Sequence, residues 1–151
     1  IKDCFFLVFT NQSRDANKCL QNHTSALSLA SKKRENQSKI VTFVQEGKKA
    51  LQNGDYEHLG NLILESYKLK KDLNKANSSG NKNSVINDIE ALLENQSIYG
   101  YKLLGAGGGG FFLVIGKDIE CKEYLNSLGL NPIAIEIDNK GCSIFQTIST
   151  D

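Results

Sequence analysis

The sequence predicts an α+β fold: an antiparallel sheet of about four to five strands with helices packed on one face. Three observations carry this reading. The apolar patterns run β, four α, β, β, α, β, β, which is not the strict alternation of a doubly wound parallel sheet. The glycine-rich run at 105–110 leads into FFLVI, a strand pattern rather than a helix. Late in the chain, Asp138, Asn139, Lys140 and Gly141 supply hairpin-turn residues between two apolar runs. A chain of 151 residues is long enough to bury one core and predicts a single domain over 1–151.

The elements follow in order. CFFLVFT, 4–10, reads as a buried strand. Ser13 then caps a helix whose face carries Ala16, Cys19, Leu20, His23 and Leu27. The polar stretch 31–37 reads as a loop. A second helix is predicted over about 36–52, with Ile40, Phe43, Val44, Gly47 and Leu51 at helical spacing. Asn53-Gly54 stops it, because glycine accepts the left-handed conformation at a helix end. Asp55 caps a third helix with the stripe Leu59, Leu62, Ile63 and Tyr67, closing in the basic run 68–75, which suits a helix C-terminus. NSSGNKN, 77–83, is a polar loop. A fourth helix carries Val85, Ile86, Ile89, Leu92 and Leu93. Strands are expected at 101–104 and 111–115, then a short helix capped by Asp118 and ending at Gly129. Two last strands, 131–137 and 142–145, complete the set.

Composition excludes more than it assigns. Apolar content is 40%, charged content 23% and net charge +1, so charge alone implies neither a nucleic-acid nor a membrane partner. No apolar run approaches the roughly 20 residues that cross a bilayer. The first ten residues lack the basic start and cleavage site of a signal peptide. They also lack a Met, from which the chain is expected to begin mid-protein. Cys4, Cys19, Cys121 and Cys142 form no CxxC or Cys/His pair at zinc spacing, so no metal is expected and the thiols read as reduced, in a cytoplasmic protein.

Gly105, Ala106, Gly107, Gly108, Gly109 and Gly110 are the loudest signal. Five glycines in six residues remove the Cβ atoms that hold a ligand or backbone at a distance, and their N–H groups can converge on an anion. A dinucleotide-binding loop would enter a helix, and a P-loop would continue into Lys-Ser/Thr; neither occurs here. A tight connection between paired strands is the alternative reading.

These residues carry a family resemblance. YGYKLLGAGGGGFFLVIG, from Tyr99 to Gly116, resembles the third motif of GHMP kinases, in wording nearest to the D-glycero-D-manno-heptose 7-phosphate kinase type. LVFTNQSRDAN, from Leu7 to Asn17, resembles that family's strand ending in T-G-x-x-R, with Asn11 in place of Gly. LESYKLKKDL, from Leu64 to Leu73, resembles its E-S-W-x-x-K-x-x-L helix, with Tyr67 in place of Trp. The resemblance implies the ferredoxin-like C-terminal half of a sugar or sugar-phosphate kinase that uses ATP and Mg2+. The ATP-gripping N-terminal half, with its own phosphate loop, is not in this sequence. The fragment is therefore expected to be inactive alone, to hold no catalytic residue and to bind no cofactor tightly, with self-association possible through the surface that faced the missing half.

The same resemblance makes Thr10, Arg14, Lys70 and Lys71 substrate-contact candidates and places the glycine run on the phosphate side. A guanidinium matches a phosphate with two parallel hydrogen bonds, and Arg14 is one of two arginines against sixteen lysines. Arg14 also reads as a solvated helix residue, and Lys70 and Lys71 as a solvated face. Lys102 faces cleft or solvent. His23 reads as a core-edge residue and His58 as exposed. A non-catalytic module binding a small anion stands as the alternative function.

Overall fold

The structure is a computed structural model that describes residues 3–12, 29–75, 84–105 and 109–141. Four strands form one antiparallel sheet in the order β2-β3-β1-β4. They are β1 (Phe5–Phe9), β2 (Ile98–Leu103), β3 (Phe111–Gly116) and β4 (Ile133–Ala134). The described helices are α1 (Leu29–Asn53), α2 (Tyr56–Lys75), α3 (Ser84–Leu93) and α4 (Ile119–Ser127). The α+β class expected from the sequence is therefore the observed one. The helix expected around Ala16 to Leu27, the loop 77–83 and the strand 142–145 lie outside the described residues. No described helix is long and apolar enough to cross a membrane.

The two-residue period of the strands builds the core. Phe6 and Val8 of β1 stand opposite Val114 and Phe112 of β3, which in turn face Tyr101 and Leu103 of β2. All six are buried, and they cluster with Ile86, Ile89 and Leu93 of α3 and Cys121 and Leu125 of α4. Leu64 and Tyr67 of α2 close the cluster, with the Tyr67 ring edge-on to Tyr101 and Phe112. Alternate positions, Leu7, Phe9, Phe111 and Leu113, point to the other sheet face, where Phe9 is 44% exposed.

Helix α1 starts at Leu29, so the stretch expected as a loop over 31–37 is helical. The reason is local and tertiary. Lys, Arg, Glu and Gln are strong helix formers that need no burial. Glu35 and Lys39 pair one turn apart at 3.5 Å, and buried Asn36 donates through Nδ2 to the Leu69 carbonyl of α2 at 3.3 Å. The turn between α1 and α2 follows the sequence reading. Gly54 has φ +71, with its N–H bonded to Leu51 O and that of Asp55 to Ala50 O. Asp55 Oδ1 then accepts from His58 N at 3.0 Å and caps α2.

Strand β2 begins three residues before its expected start. A bulge between Ile98 and Gly100 breaks the apolar alternation that would have revealed it. Asn95 launches it, its Oδ1 accepting from both the N–H and the hydroxyl of Ser97 at 2.9 Å. Helix α2 lies hard against this strand: a Cβ built on Gly100 would sit 2.0 Å from Gly60 O. The strand expected over 131–137 pairs regularly only at Ile133 and Ala134, with Ile135 N bonded to Phe5 O. Asn131 at φ +45 and Pro132, which lacks an N–H, delay its start.

Candidate functional site

The glycine run links β2 to β3, and the base of this link, termed the arch, is closed by Leu104 N donating to Phe111 O at 2.9 Å. Gly105 and Gly110, at φ +77 and +96, turn the chain into and out of it; a side chain at either would be strained. Ala106, Gly107 and Gly108 lie outside the described residues. The arch leans on the turn that follows β1. Thr10 N donates to Gly110 O, and Gly110 N donates back to Gln12 O at 2.8 Å. A Cβ on Gly109 would come within 2.6 Å of Gln12 O, so only glycine lets these two backbones meet. Asn11, where the resembling pattern has Gly, takes φ +54 and so makes the turn that Gly would make.

Thr10 is 1% exposed, and its hydroxyl donates to Gly110 O at 2.9 Å. Its observed contacts clamp the arch. From α2, the exposed Lys70 ammonium reaches the Gly105 carbonyl at 3.5 Å. The structure thus gathers Thr10, Lys70, Gly105, Gly109 and Gly110 from three separate stretches of sequence. Beside them the Phe9 and Phe111 rings pack with centroids 4.9 Å apart, tilted by 41°. Arg14 lies outside the described residues.

Lys71 points elsewhere. Its ammonium forms an ion pair with Glu90 Oε2, and the other carboxylate oxygen accepts from the Tyr67 hydroxyl at 2.5 Å. Glu90 is 8% exposed, within the core-facing side of α3. Burial first, then the hydrogen bond and charge of Glu90, push the Tyr67 phenol above its ordinary pKa. Burial also raises Tyr101, to about 12, with the charges of Glu94 and Glu90 adding to it. Sequence reasoning missed Glu90, although a signal was present. It falls four residues after Ile86, on the apolar stripe of α3, while Tyr67 and Lys71 fall four apart on one face of α2.

Chemically, the exposed Lys70 ammonium at the Gly105 end of the run supplies a positive charge, a setting suited to an anionic or polar ligand. Among the described residues no group of three His, Cys, Asp or Glu side chains is placed to hold a metal ion.

A family profile described as GHMP kinases C terminal matches residues 48–126. The chain is 28% identical over 152 residues to an L-fucokinase/L-fucose-1-P guanylyltransferase of Bacteroides fragilis, covering 95% of this chain and 16% of that protein. It is 30% identical over 122 residues to a bifunctional fucokinase/GDP-fucose pyrophosphorylase of Arabidopsis thaliana, covering 76% of this chain and 10% of that protein. The chain therefore spans less than a fifth of these relatives' length. Among solved structures, L. major mevalonate kinase in complex with R-mevalonate matches with TM-score 0.62 at 19% identity, over 82% of this chain and 36% of that one. This last likeness is one of fold.

Proposed function

Because the chain belongs to the GHMP kinase C-terminal family, we propose that it supplies the C-terminal, acceptor-side part of an ATP-dependent sugar kinase. The reaction moves the γ-phosphoryl of Mg-ATP to a hydroxyl of the sugar, and the hydroxyl proton leaves to a base. The observation that carries this reading is the convergence of the three motif stretches: Thr10 is bonded to Gly110, and Lys70 to Gly105. Phosphoryl transfer depends on positioning and on neutralising charge, which the anchored ends of the glycine run and the adjacent Lys70 ammonium are suited to serve. ATP and Mg2+ are cofactors of the whole enzyme, bound chiefly by the N-terminal partner domain, so this chain alone is inactive.

Within this reading Lys70 approaches the anionic side of the transferring group, and Thr10 and Gln12 hold the arch still. Arg14 and Lys71 stay substrate-contact proposals; contact by Lys71 requires it to leave Glu90. Relatives named as fucokinases favour a neutral 6-deoxy sugar as acceptor. The heptose-phosphate wording of 102–111 favours a phosphorylated one. Self-association of the isolated chain through the Phe9 side of the sheet accompanies this view.

The test is an ATP-dependent phosphorylation assay of the complete polypeptide on L-fucose, D-galactose and D-glycero-D-manno-heptose 7-phosphate. Lys70→Met is expected to lower kcat/KM by roughly 10- to 100-fold with thermal stability unchanged, because the side chain is exposed. Failure to phosphorylate any sugar, joined to saturable nucleotide binding by this chain alone, refutes the kinase reading and favours a small-anion-binding module.

A further inference from the structure

We infer that Glu90 is a positioning residue that sets the rotation of α2 and so aims Lys70 at the glycine arch. Glu90 interrupts an otherwise apolar face of α3, between Ile86, Ile89 and Leu93. A leucine there would pack, and a buried ion pair is seldom more stabilising than the apolar residues that could replace it. The pair does something an apolar contact does not. It grips α2 at two points one turn apart, Tyr67 through its hydroxyl and Lys71 through its ammonium, with one carboxylate oxygen on each. Core packing of Leu64 and Tyr67 holds α2 against the sheet, and the two hydrogen bonds to one carboxylate add a directional grip that fixes the remaining angle. Lys70 and Lys71 project about 100° apart around the helix axis. Holding Lys71 toward α3 therefore sends Lys70 to the Gly105 carbonyl, where it is found.

The activity readout rests on the kinase reading, but a second readout does not. In the complete polypeptide, Glu90→Gln keeps an acceptor for Tyr67 and removes the charge that holds Lys71. It is expected to lower kcat about tenfold with the sugar KM within about twofold, as for a lost alignment rather than a lost binding contact. The stability control is Tyr124→Phe, which removes the bond from its hydroxyl to Leu92 O at 2.8 Å, in the last turn of α3. It should lower the melting temperature without this kcat effect. In the isotopically labelled 151-residue chain, the amide resonances of Gly105, Gly109 and Gly110 should shift in Glu90→Gln and not in Tyr124→Phe. If Glu90→Gln does not fold, Tyr67→Phe, which deletes only one of the two grips, takes its place. Unmoved glycine resonances overturn the inference, as does an equal kcat loss in the control. If the unaltered polypeptide phosphorylates no sugar, the kinase reading fails and the glycine resonances alone decide the role of Glu90.

Discussion

The backbone N–H and the side-chain hydroxyl of Thr10 donate to one acceptor, the Gly110 carbonyl, each at 2.9 Å. The end of β1 and the exit of the glycine arch are thereby tied twice through a single oxygen, inside a site that excludes water from Thr10. Thr10→Val keeps the shape and the N–H bond and removes the hydroxyl. It is expected to cost about 1 kcal/mol in urea unfolding, because the carbonyl keeps one partner. The Gly110 amide should exchange faster with solvent. An unchanged urea midpoint would show that the second bond contributes nothing.

Gly60, Gly100 and Gly54 separate two reasons for glycine. Gly100→Ala drives a methyl to within 2.0 Å of Gly60 O, a backbone atom that cannot step aside. Its expected cost is about 3 kcal/mol or more, through displacement of α2 from β2. Gly54 has nothing within 4 Å and only its φ of +71 to protect it, so Gly54→Ala should cost about 1 kcal/mol. Parallel urea titrations rank the two, and a larger loss in Gly54→Ala contradicts the packing described.

High pH should loosen the fold in a defined window. Burial pushes the Cys121 thiol from 9.0 to about 12, with the charges of Asp118 and Cys4 adding. Tyr101 rises from 10.0 to about 12. Both keep their protons longer folded than unfolded, so the unfolded state binds fewer protons above pH 9 and stability falls as pH rises. The contribution is intact below about pH 9 and lost progressively up to about pH 12. Urea midpoints at pH 7, 9 and 10.5 check this, and Tyr101→Phe should flatten the part above pH 10. A midpoint that rises across this range contradicts the assignment.

The two helix caps should act independently. Asp55 holds His58 N at 3.0 Å, and Asp118 holds Glu120 N at 2.8 Å, on separate helices. Each change to Ala is expected to cost about 1 kcal/mol. The double variant should lose about the sum, as distant sites do. Urea titration of the three variants tests both size and additivity.

Much of this architecture was legible because it is written in short-range rules. Gly54, Asp55, Asp118 and Gly129 mark helix ends by their own backbone and side-chain chemistry, and the structure uses each there. The turns at Gly105 and Gly110 were legible for the same reason. Three other features depend on what residues meet at long range. The helical stretch around Asn36 is anchored by Leu69, thirty-three positions away. The start of β2 is hidden by a bulge, which scrambles the period that reveals strands. The pairing of Lys71 with Glu90 needs α2 and α3 side by side, so the sequence shows two like lysines where the fold separates their tasks.

The touching glycines, Gly60 and Gly100, leave no side chain between helix and strand. That spot acts as a fulcrum whose height no neighbouring substitution can adjust. Ten residues further along α2, about 15 Å by helical rise, stands Lys70. A tilt of about 4° around the fulcrum would carry its Cα roughly 1 Å sideways by that lever arm. Changes in the distant core that tip the helix slightly would thus be read out, enlarged, at the tip of one ammonium.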